Sequence, residues 1–378
     1  MRFLVLGAGR QGSACAFDLL RQPDVDRVTL ADLDPGRAEY LPEDDRLATA
    51  RADFGDGRRT RELMAEHDVV LSAAPYYLNG DLARIAVETG RHFGDLGGNS
   101  EIVRAQLALG EAATAAGCTI VPDIGLAPGM VNVLAAEGIR RLDRTRSLRM
   151  YVGGLPQNPL PPLNYQVVYS LEGVLDYYTT PSCILRHGSL AVVEALSDVE
   201  SLELEGVGRL EAFHTAGGAS LQPWELEGQV EELSYKTLRY PGHASIMRAV
   251  RDLGLLSESP VEVGGAEVVP REVFLACVGP LLTHPEEPDV VALRVVAEGE
   301  REGRGVTLAW DLLDYADPET GISAMERTTG FSLAIVGLLL GRGVIAKRGA
   351  DPAYRFVPYE PYVAALAERG IEIRYREG

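Results

Sequence analysis

The sequence is poor in the residues and patterns that build metal centres and nucleophilic active sites. Its 378 residues contain four cysteines and six histidines. The four cysteines (Cys15, Cys118, Cys183 and Cys277) are far apart, form no C-x-x-C pair and have no histidine at metal-ligand spacing. The chain also lacks H-E-x-x-H, a lysine-containing phosphate loop and G-x-S-x-G. These absences disfavour zinc hydrolysis, phosphoryl transfer and serine hydrolysis, and we expect no metal site.

Positive charge and long apolar runs are also scarce. Asp and Glu number 55 against 36 Lys and Arg, which gives a net charge of −19. A surface of this sign repels phosphate backbones and anionic headgroups, so nucleic acid and membrane are not expected partners. The one long apolar run, Phe331 to Leu340, is too short to span a bilayer. Met1-Arg2 leads directly into an apolar strand without a separate signal segment, so we expect a cytoplasmic protein.

The start of the chain carries a glycine motif in the context that a dinucleotide requires. A short apolar strand is followed by Gly7-x-Gly9-x-x-Gly12 and an amphipathic helix. Gly7 permits a tight turn, Gly9 lets the backbone approach a pyrophosphate, and Gly12 lets helix and strand pack closely. Arg10 and Gln11 lie in the same loop. We predict that these five residues bind an NAD-type coenzyme.

A second strand, RVTLADLD, ends near Asp32. A carboxylate at this point accepts hydrogen bonds from the adenosine ribose hydroxyls and repels a 2′-phosphate, which favours NAD over NADP. Arg10 and Arg37 could still bind a phosphate, so NADP stays open. Asp32 could also be a simple turn or helix-cap residue.

Strands and helices then alternate up to residue 124. Helices are predicted near 58–66, at 79–90 and at 101–117, and strands at 68–75, 92–98 and 118–125. This order predicts an α/β fold with a Rossmann-type doubly wound parallel sheet, whose ligands bind beyond the carboxyl ends of the strands. We expect the strand ends to face the coenzyme, and Ala74, Pro75 and Gly97 to contact it.

The second half of the chain has a different pattern of predicted strands and helices. Strand-like runs occur at SLRMYVGG, LNYQVVYS, RLEAFHTAG, ELSYKTLRY, DVVALRVVAEGE and GVTLAWDLLDY, and helices lie between some of them. These runs predict a second α+β domain with a largely antiparallel sheet that helices cover on one face. We place the nucleotide-binding domain at 1–124, the substrate domain at 125–322, and a C-terminal helix and tail that return to the first domain at 323–378.

Six motifs together resemble one family over nearly the whole chain. They are GAGRQG at the start, GDLGGN (94–99), PDIGLAPGMVN (122–132), VGGLPQNPLPPLNYQVVYSLEGVLDYY (152–178), KTLRYPGH (236–243) and MERTTGF (325–331). The chain resembles the saccharopine dehydrogenase-like oxidoreductases, and most closely the branch that contains L-lysine 6-dehydrogenase. The resemblance implies a small amino-acid substrate, chemistry at the carbon–nitrogen bond of an amine, and a homodimer or higher homo-oligomer.

Oxidation of an amine by hydride transfer needs a base near the reacting nitrogen. Asp95, which ends a parallel strand beside Gly97, is the first candidate, with a turn-stabilising role as the alternative. Tyr76 could bind the amine or orient the nicotinamide, or it could be a packing aromatic. Lys236 is a third candidate, as a base of lowered pKa. With the two-residue period of a strand, however, Lys236 and Arg239 fall on opposite faces.

Five residues are candidates for holding the substrate. Arg239 could bind a carboxylate through its guanidinium, unless it pairs with Glu231 or Glu232 in the same sheet. Asp123 could bind amino groups or cap a helix, and His243 could meet substrate or act as a cap. Thr215 and Tyr165 are predicted to line the cleft.

We therefore expect an NAD(P)-dependent amino-acid oxidoreductase, with L-lysine 6-dehydrogenase as the leading assignment. A saccharopine or carboxynorspermidine dehydrogenase or reductase is the nearest alternative. A non-catalytic sensor or scaffold that binds NAD is an alternative of another class.

Overall fold

A computed structural model describes residues 1–38, 41–284 and 286–378, which form two large β-sheets and the helices around them. The strands are β1 (Arg2–Leu6), β2 (Arg27–Asp32), β3 (Leu47–Arg51), β4 (Val69–Ser72), β5 (His92–Asp95), β6 (Thr119–Val121), β7 (Arg144–Pro156), β8 (Ser182–Arg186), β9 (Ser189–Val193), β10 (Glu200–Leu204), β11 (Gly208–His214), β12 (Glu232–Arg239), β13 (Val261–Val263), β14 (Ala266–Val268), β15 (Asp289–Arg301), β16 (Arg304–Tyr315), β17 (Gly349–Ala350) and β18 (Ile373–Glu377). The α-helices are α1 (Arg10–Leu20), α2 (Gly57–Ala65), α3 (Asn79–Thr89), α4 (Ser100–Leu107), α5 (Gly110–Ala115), α6 (Met130–Arg140), α7 (Leu171–Thr179), α8 (Gln222–Glu225), α9 (His243–Asp252), α10 (Pro270–Leu282), α11 (Ala324–Gly341), α12 (Ala353–Phe356) and α13 (Tyr359–Ala367).

The first sheet has seven strands in the order β17-β6-β5-β4-β1-β2-β3, and all its pairs are parallel. Residues 3–6 of the inner strand β1 are completely buried, as expected for a strand covered on both faces. The predicted Rossmann-type sheet is confirmed. The edge strands β3 and β17 were not predicted, because LATAR has little strand character and β17 has only two residues.

The predicted helix at 101–117 is wrong in one respect, because it is two helices, α4 and α5. The chain tightens between them, where Leu109 N–H donates to Gln106 O. Gly110 then begins α5. Glycine is unfavourable inside a helix, so an interruption here is physically reasonable.

The second sheet has nine strands. Seven of them lie in the order β10-β11-β12-β7-β15-β16-β18, while β8 pairs with β12 and β9 pairs with β8. Its pairs are antiparallel except for β7 with β12. Helices α6 and α11 pack on one face of this sheet. The predicted α+β arrangement with a largely antiparallel sheet is therefore confirmed.

The run LNYQVVYS (163–170) was predicted as a strand, and this prediction is wrong. Its backbone forms turns and irregular loop, with Asn164 at φ +49°. The apolar side chains that suggested a strand are buried by packing instead, since Leu163, Tyr165 and Val168 are each 7% exposed or less. These side chains are therefore buried here without a neighbouring strand to pair with.

Helix α11 connects the two sheets. At its start, Met325 lies against Gly154 of β7, where an added Cβ would be 2.5 Å from the Met325 Cε atom. Further along, Gly330 lets α1 approach, because a Cβ there would be 2.7 Å from that of Ala14. Near its end, the helix packs on β4 and β5. This helix therefore fixes the position of the second sheet relative to the first, while the domain boundaries at 124 and 322 stay predictions.

Two features are absent from the described residues. None of the helices found there has both the length and the apolarity that a membrane span requires. No group of three or more His, Cys, Asp or Glu side chains in the same residues is arranged to hold a metal ion.

Candidate active site

The glycine loop between β1 and α1 is shaped by close backbone contacts. A Cβ at Gly12 would lie 1.8 Å from the Gly7 oxygen, and one at Gly7, where φ is +100°, would lie 2.8 Å from Ala73 O. A Cβ at Gly9 would meet no described atom within 4 Å, so this part of the loop faces open space. The N-terminus of α1 has no side-chain cap among the described residues. Its N–H groups can therefore bind the pyrophosphate of a dinucleotide.

Other predicted coenzyme residues surround this loop. The Gln11 Oε1 atom is buried and has no hydrogen-bond partner among the described residues. Ala74 follows β4 and its N–H donates to Ser72 Oγ at 3.4 Å, while Pro75 precedes a short 3₁₀ turn at 76–78. Burial raises the pKa of Glu326 at the start of α11, and the positive charge of Arg10 opposes this rise. The unsatisfied glutamine oxygen and the open loop fit a bound dinucleotide.

Asp32 lies at the end of β2 and is partly exposed. Its Oδ2 accepts from Ala8 N–H at 2.7 Å, and its Oδ1 accepts from Asp34 N–H at 2.9 Å. Each oxygen keeps a lone pair, because a carboxylate can accept about four hydrogen bonds. The geometry thus fits ribose hydroxyls beside the glycine loop.

Two carboxyl groups meet at the carboxyl edge of the parallel sheet. The register of β5 with β6 brings Asp95 and the segment after Val121 together, and Ile124 N–H donates to Asp95 O at 2.9 Å. The Asp95 carboxylate accepts from Gln106 Nε2 at 2.5 Å and from Gly97 N–H at 2.7 Å. Asp95 is therefore held by the first domain alone.

Asp123 connects the same edge to the second half of the chain. Its Oδ1 accepts from Gly98 N–H at 3.2 Å, and its Oδ2 accepts a short hydrogen bond from Ser220 Oγ. The carboxylate lies against Gly97, where a Cβ would be only 1.6 Å from Oδ1. Residue 97 must therefore be a glycine for the Asp123 carboxylate to occupy this position.

Both carboxyl groups titrate closer to neutrality than usual. Burial raises the pKa of Asp95 to about 6, although hydrogen bonds from Gln106 and Gly97 oppose it. Burial raises the pKa of Asp123 to about 7; the hydrogen bond from Ser220 opposes this, and the charge of Asp95 adds to it. A carboxylate that titrates near pH 7 is suited to general acid–base chemistry.

Arg239 ends β12 and is only 2% exposed. Its Nη1 donates to Leu238 O at 2.9 Å and to Gly154 O at 3.4 Å, and its Nε donates to Tyr178 Oη at 3.2 Å. None of the carboxylates in the described part of the chain forms an ion pair with it. A buried, permanently charged guanidinium without an acid partner is a strong candidate for binding an anionic ligand.

The acids that could have paired with Arg239 are engaged elsewhere. Glu231 forms an ion pair with Arg144 at 2.7 Å, and Glu232 lies 3.4 Å from His187. The structural alternative for Arg239 is therefore wrong.

Tyrosines and one histidine line the surroundings of the guanidinium. The Arg239 guanidinium lies over the ring of Tyr165, 4.7 Å from the ring centroid. The Tyr165 hydroxyl is buried and has no partner among the described residues. His243 contacts the Tyr178 hydroxyl through Nε2 at 3.0 Å. Tyr165 and Arg239 thus offer two hydrogen-bonding groups to one ligand.

Tyr177 joins the Arg239 cluster to the carboxyl edge of the first sheet. A Cβ at Gly98 would be 3.2 Å from the Tyr177 hydroxyl, and one at Gly217 would be 3.0 Å from its ring. Nearby, Thr215 Oγ1 lies 2.7 Å from Thr237 Oγ1, and Thr237 shares the strand face of Arg239. Tyr177 therefore links the Asp123 edge of the first sheet to helix α7, which also carries Tyr178, the partner of Arg239.

Lys236 lies on the opposite face of the second sheet. Its Nζ forms an ion pair with Glu200 at 2.9 Å and donates to Asp198 O at 2.6 Å. It lines a separate cleft with His214, away from Arg239. The structure thus separates Lys236 from Asp123 and Arg239, as the two-residue period of the strand predicts, and the catalytic role of Lys236 stays a prediction.

Tyr76 lies at the rim of the first sheet and is 42% exposed. Its ring packs edge to face on Tyr77, with centroids 5.9 Å apart. The described residues show no hydrogen bond to its hydroxyl. Tyr76 follows β4 at the coenzyme edge, as predicted, but the structure does not bring it into the Asp123 and Arg239 cluster.

Two family models match the chain in the same order as the two sheets. The model described as Saccharopine dehydrogenase NADP binding domain matches residues 3–121, and the model described as Saccharopine dehydrogenase C-terminal domain matches residues 125–371. The chain belongs to the saccharopine dehydrogenase family. This confirms the predicted family and its NAD(P)-binding domain.

Named relatives of this saccharopine dehydrogenase family member are distant. The L-glutamate-forming, NADP(+) saccharopine dehydrogenase of Saccharomyces cerevisiae is 23% identical over 75% of this chain and 65% of its own length. The mitochondrial alpha-aminoadipic semialdehyde synthase of Mus musculus is 24% identical over 98% of this chain and 47% of its own length. The chain therefore spans between about half and two thirds of these curated relatives.

Two solved structures share the fold. Apo saccharopine dehydrogenase (L-Glu forming) from Saccharomyces cerevisiae has a TM-score of 0.82 at 20% identity, covering 100% of this chain and 99% of the other. Homospermidine synthase from Legionella pneumophila, solved with NAD, has a TM-score of 0.63 at 10% identity, covering 100% and 91%. At these identities the likeness establishes the fold.

Several residues of this family member's site were missed from the sequence. They are Tyr178 and Tyr177, which contact Arg239 and Gly98, and Gln106, which holds Asp95. The two tyrosines end α7 in the motif LEGVLDYY, and an aromatic pair at a helix end was the available signal. No sequence signal indicated Gln106, since a glutamine inside a helix is usually exposed. The predicted homo-oligomer and cytoplasmic location stay predictions.

Proposed function

We propose that this protein oxidises or forms the carbon–nitrogen bond of a lysine-derived amine that carries a carboxylate, with NAD(P) as coenzyme. The observation that carries the proposal is the buried guanidinium of Arg239, which has no acid partner in the described residues. The named relatives, which are saccharopine dehydrogenases and aminoadipic semialdehyde synthases, support a lysine-derived substrate.

Arg239 would hold the substrate carboxylate, with Tyr165 Oη as a second donor. Charge-assisted hydrogen bonds of this kind contribute roughly 1.5–3 kcal/mol each. Burial excludes competing water, which strengthens the interaction. Thr215, whose hydroxyl bonds to Thr237 on the Arg239 face, would line the same site.

Asp123 is the better candidate for the proton acceptor than Asp95. Both oxygens of Asp95 are held within the first domain by Gln106 and Gly97. Asp123 lies closer to the second domain through its bond from Ser220, and its pKa is raised to about 7. It would accept the proton that the substrate ammonium must lose before oxidation and would return it in the reverse direction. Asp95 would set the charge environment of Asp123.

The bound coenzyme supplies the nicotinamide that accepts or gives the hydride. The glycine loop, Gln11 and Asp32 would hold it. Asp32 beside the ribose position supports NAD as the preferred coenzyme, because a carboxylate there repels a 2′-phosphate. Direct oxidation of L-lysine is the leading activity, on the motif resemblance. Oxidation of saccharopine is the second, supported by the names of the relatives.

The test is the absorbance of reduced nicotinamide with purified protein, NAD or NADP, and L-lysine, saccharopine or ornithine at mildly alkaline pH. Cadaverine, which is lysine without the carboxylate, is the matched control. We expect turnover of one carboxylate-bearing amine and little turnover of cadaverine. Coenzyme binding without turnover of any of these amines would contradict the proposal and favour a sensor.

A variant makes this test specific to the anion site. Arg239→Met, an unbranched apolar replacement, should raise the KM of the carboxylate substrate by about 10–100-fold and leave coenzyme affinity unchanged. The residual rate with cadaverine should not change, since cadaverine has nothing for Arg239 to bind. Equal losses with both amines would exclude Arg239 as the carboxylate site.

A further inference from the structure

A chain of hydrogen bonds runs from Arg239 into the interior of the second domain. The Arg239 Nε atom lies 3.2 Å from Tyr178 Oη, which lies 3.0 Å from His243 Nε2. On the far side of the imidazole, His243 Nδ1 lies 3.0 Å from Leu163 O. The four groups come from β12, α7, α9 and the loop at 163–170, so only the folded chain brings them together.

Each hydrogen bond in this chain has one possible direction. The carbonyl of Leu163 can only accept, so His243 must carry a proton on Nδ1. His243 is 2% exposed, and burial, together with the charge of Arg239, lowers its pKa to about 3, so the ring is neutral and Nε2 accepts. Tyr178 must then donate to Nε2, and its oxygen is left to accept from Arg239 Nε.

The rings are also fixed by packing. The imidazole of His243 stacks on Phe213 at 6.3 Å with an interplanar angle of 5°. Tyr165 and Tyr178 meet it edge to face at 5.5 and 5.7 Å. No rotation of the imidazole is possible without losing both its hydrogen bonds and these contacts. The polarity of the chain is therefore built into the core.

The chain of bonds decides which part of the guanidinium remains for a ligand. Nε is used by Tyr178, and both protons of Nη1 are directed at Leu238 O and Gly154 O. Nη2 makes no hydrogen bond of good geometry in the described residues, although the hydroxyl of Tyr169 lies close enough to the guanidinium to interact with it. Tyr165 Oη, beside the guanidinium, is likewise without a described partner. Nη2 and Tyr165 Oη are therefore the groups left for a carboxylate, and a pair of guanidinium nitrogens is not available to it.

We propose that Tyr178 and His243 are positioning residues that hold Arg239 in one orientation. In this orientation the substrate carboxylate binds to a single guanidinium nitrogen, Nη2 of Arg239, and to Oη of Tyr165. This rests on the proposed function, because it assigns the carboxylate of that substrate to these two groups. His243, which the sequence suggested as a substrate contact, acts only through Tyr178 and Arg239. The ligand that this arrangement would bind is an amino acid, held by a single carboxylate group.

The first test uses two amides that replace different atoms of the imidazole. In His243→Gln, the amide oxygen reaches the position of Nε2 and still accepts from Tyr178. In His243→Asn, the amide reaches only the Nδ1 side. We expect a KM for the carboxylate substrate within about threefold of wild type for His243→Gln, and about tenfold higher for His243→Asn and for Tyr178→Phe. The kcat and the coenzyme Kd should stay nearly unchanged.

A purely structural role for His243 predicts a different result. It would affect both amide variants alike and would lower kcat and coenzyme affinity together with the rise in KM, which would overturn the proposal. The double variant Tyr178→Phe/His243→Asn should have the KM of the worse single variant, because both interrupt one chain of bonds. A KM of the double variant that rises by the product of the two single-variant increases would also overturn the proposal. His67→Gln, at a buried histidine of the first domain, is the control and should leave the substrate KM unchanged.

A second measurement does not depend on turnover. Imidazole ¹⁵N NMR, with the signal of His243 assigned by its loss in His243→Gln, should show a neutral ring protonated on Nδ1 between about pH 5 and 9. Tyr178→Phe should shift its Nε2 resonance. A ring that titrates in this range, or is protonated on Nε2, would overturn the proposal even if no amine is turned over. If the wild-type protein turns over no amine while the NMR result is as expected, the proposed function fails and the chain of bonds stands.

Discussion

Ser220 donates a hydrogen bond to the carboxylate of Asp123, and both residues have a left-handed backbone, with φ of +52° and +60°. The bond joins the segment after β6 to the loop after β11, 97 residues apart in the sequence. Residues other than glycine rarely adopt such φ values, and each such residue raises the free energy of the folded state. Strain on both sides of one hydrogen bond, at the meeting point of the two sheets, is typical of a functional site.

Asp123→Asn should separate the catalytic role of this residue from its structural one. Asparagine keeps the shape, tolerates the left-handed backbone and can bond to both Gly98 N–H and Ser220 Oγ. We expect the rate of amine oxidation to fall about 10²–10⁴-fold, because the amide cannot accept a proton. Substrate binding should change little. Retention of most of the rate would move the base to another residue.

The same variant should be more stable than wild type at alkaline pH. The pKa of Asp123 in the folded protein, about 7, lies above its ordinary value of 3.8, so the folded state binds more protons between these pH values. Stability from this group is therefore full below about pH 4 and is lost as the pH rises to about 7. At pH 8 the free energy of unfolding of Asp123→Asn should exceed that of wild type by about 1–4 kcal/mol, and its melting temperature should be higher. This difference in stability should disappear near pH 4. A gap that widens on acidification would contradict the raised pKa.

Asp32→Asn tests the coenzyme preference. The amide oxygen can still accept from Ala8 N–H, the amide NH₂ can no longer accept from Asp34 N–H, and the negative charge beside the ribose is removed. We expect the ratio of kcat/KM for NAD over NADP to fall at least about tenfold, since the carboxylate no longer repels the 2′-phosphate. Coenzyme Kd values from fluorescence titration check this. Asp34→Asn, two residues on in the turn, is the control and should keep the ratio.

Gly97→Ala and Gly117→Ala form a matched pair. Both glycines are left-handed, with φ of +68° and +71°, so each substitution adds similar backbone strain, roughly 1 kcal/mol. Only at Gly97 would the new Cβ collide with the Asp123 carboxylate, at 1.6 Å; at Gly117 no described atom lies within 4 Å. We expect Gly97→Ala to lose about 100-fold or more in kcat and Gly117→Ala to keep its rate. Both lower the melting temperature slightly. Similar activity in the two variants would show that Asp123 can move aside.

Lys236→Met tests the face of the second sheet that lies away from the site. The methionine keeps the apolar stem and removes only the ammonium that pairs with Glu200. Because Lys236 is remote from Arg239, kcat and KM should stay within about threefold of wild type, with a small loss of stability. Loss of kcat at constant stability would return Lys236 to the catalytic residues.

Local sequence patterns predicted the coenzyme end of the molecule well. The spacing of Gly7, Gly9 and Gly12 encodes a turn that needs no distant partner, and Asp32 ends the next strand in the same βαβ unit. The opposite orientation of Lys236 and Arg239 also followed from the sequence, because the two-residue period of a strand is a local property. Where a pattern depends on a partner strand, as at 163–170, the prediction was wrong.

By itself, the sequence determined the alternation of strands and helices that forms the parallel sheet, the nucleotide-binding loop and which strand residues share a face, since these depend on neighbouring residues in the chain. The tertiary structure alone decided that Arg239 lacks an acid partner, that Tyr178 and His243 hold it, and that Ser220 bonds to Asp123. Each of these contacts joins residues between about 60 and 100 positions apart. Their geometry depends on how α7, α9 and two separate sheets pack, which no local pattern encodes.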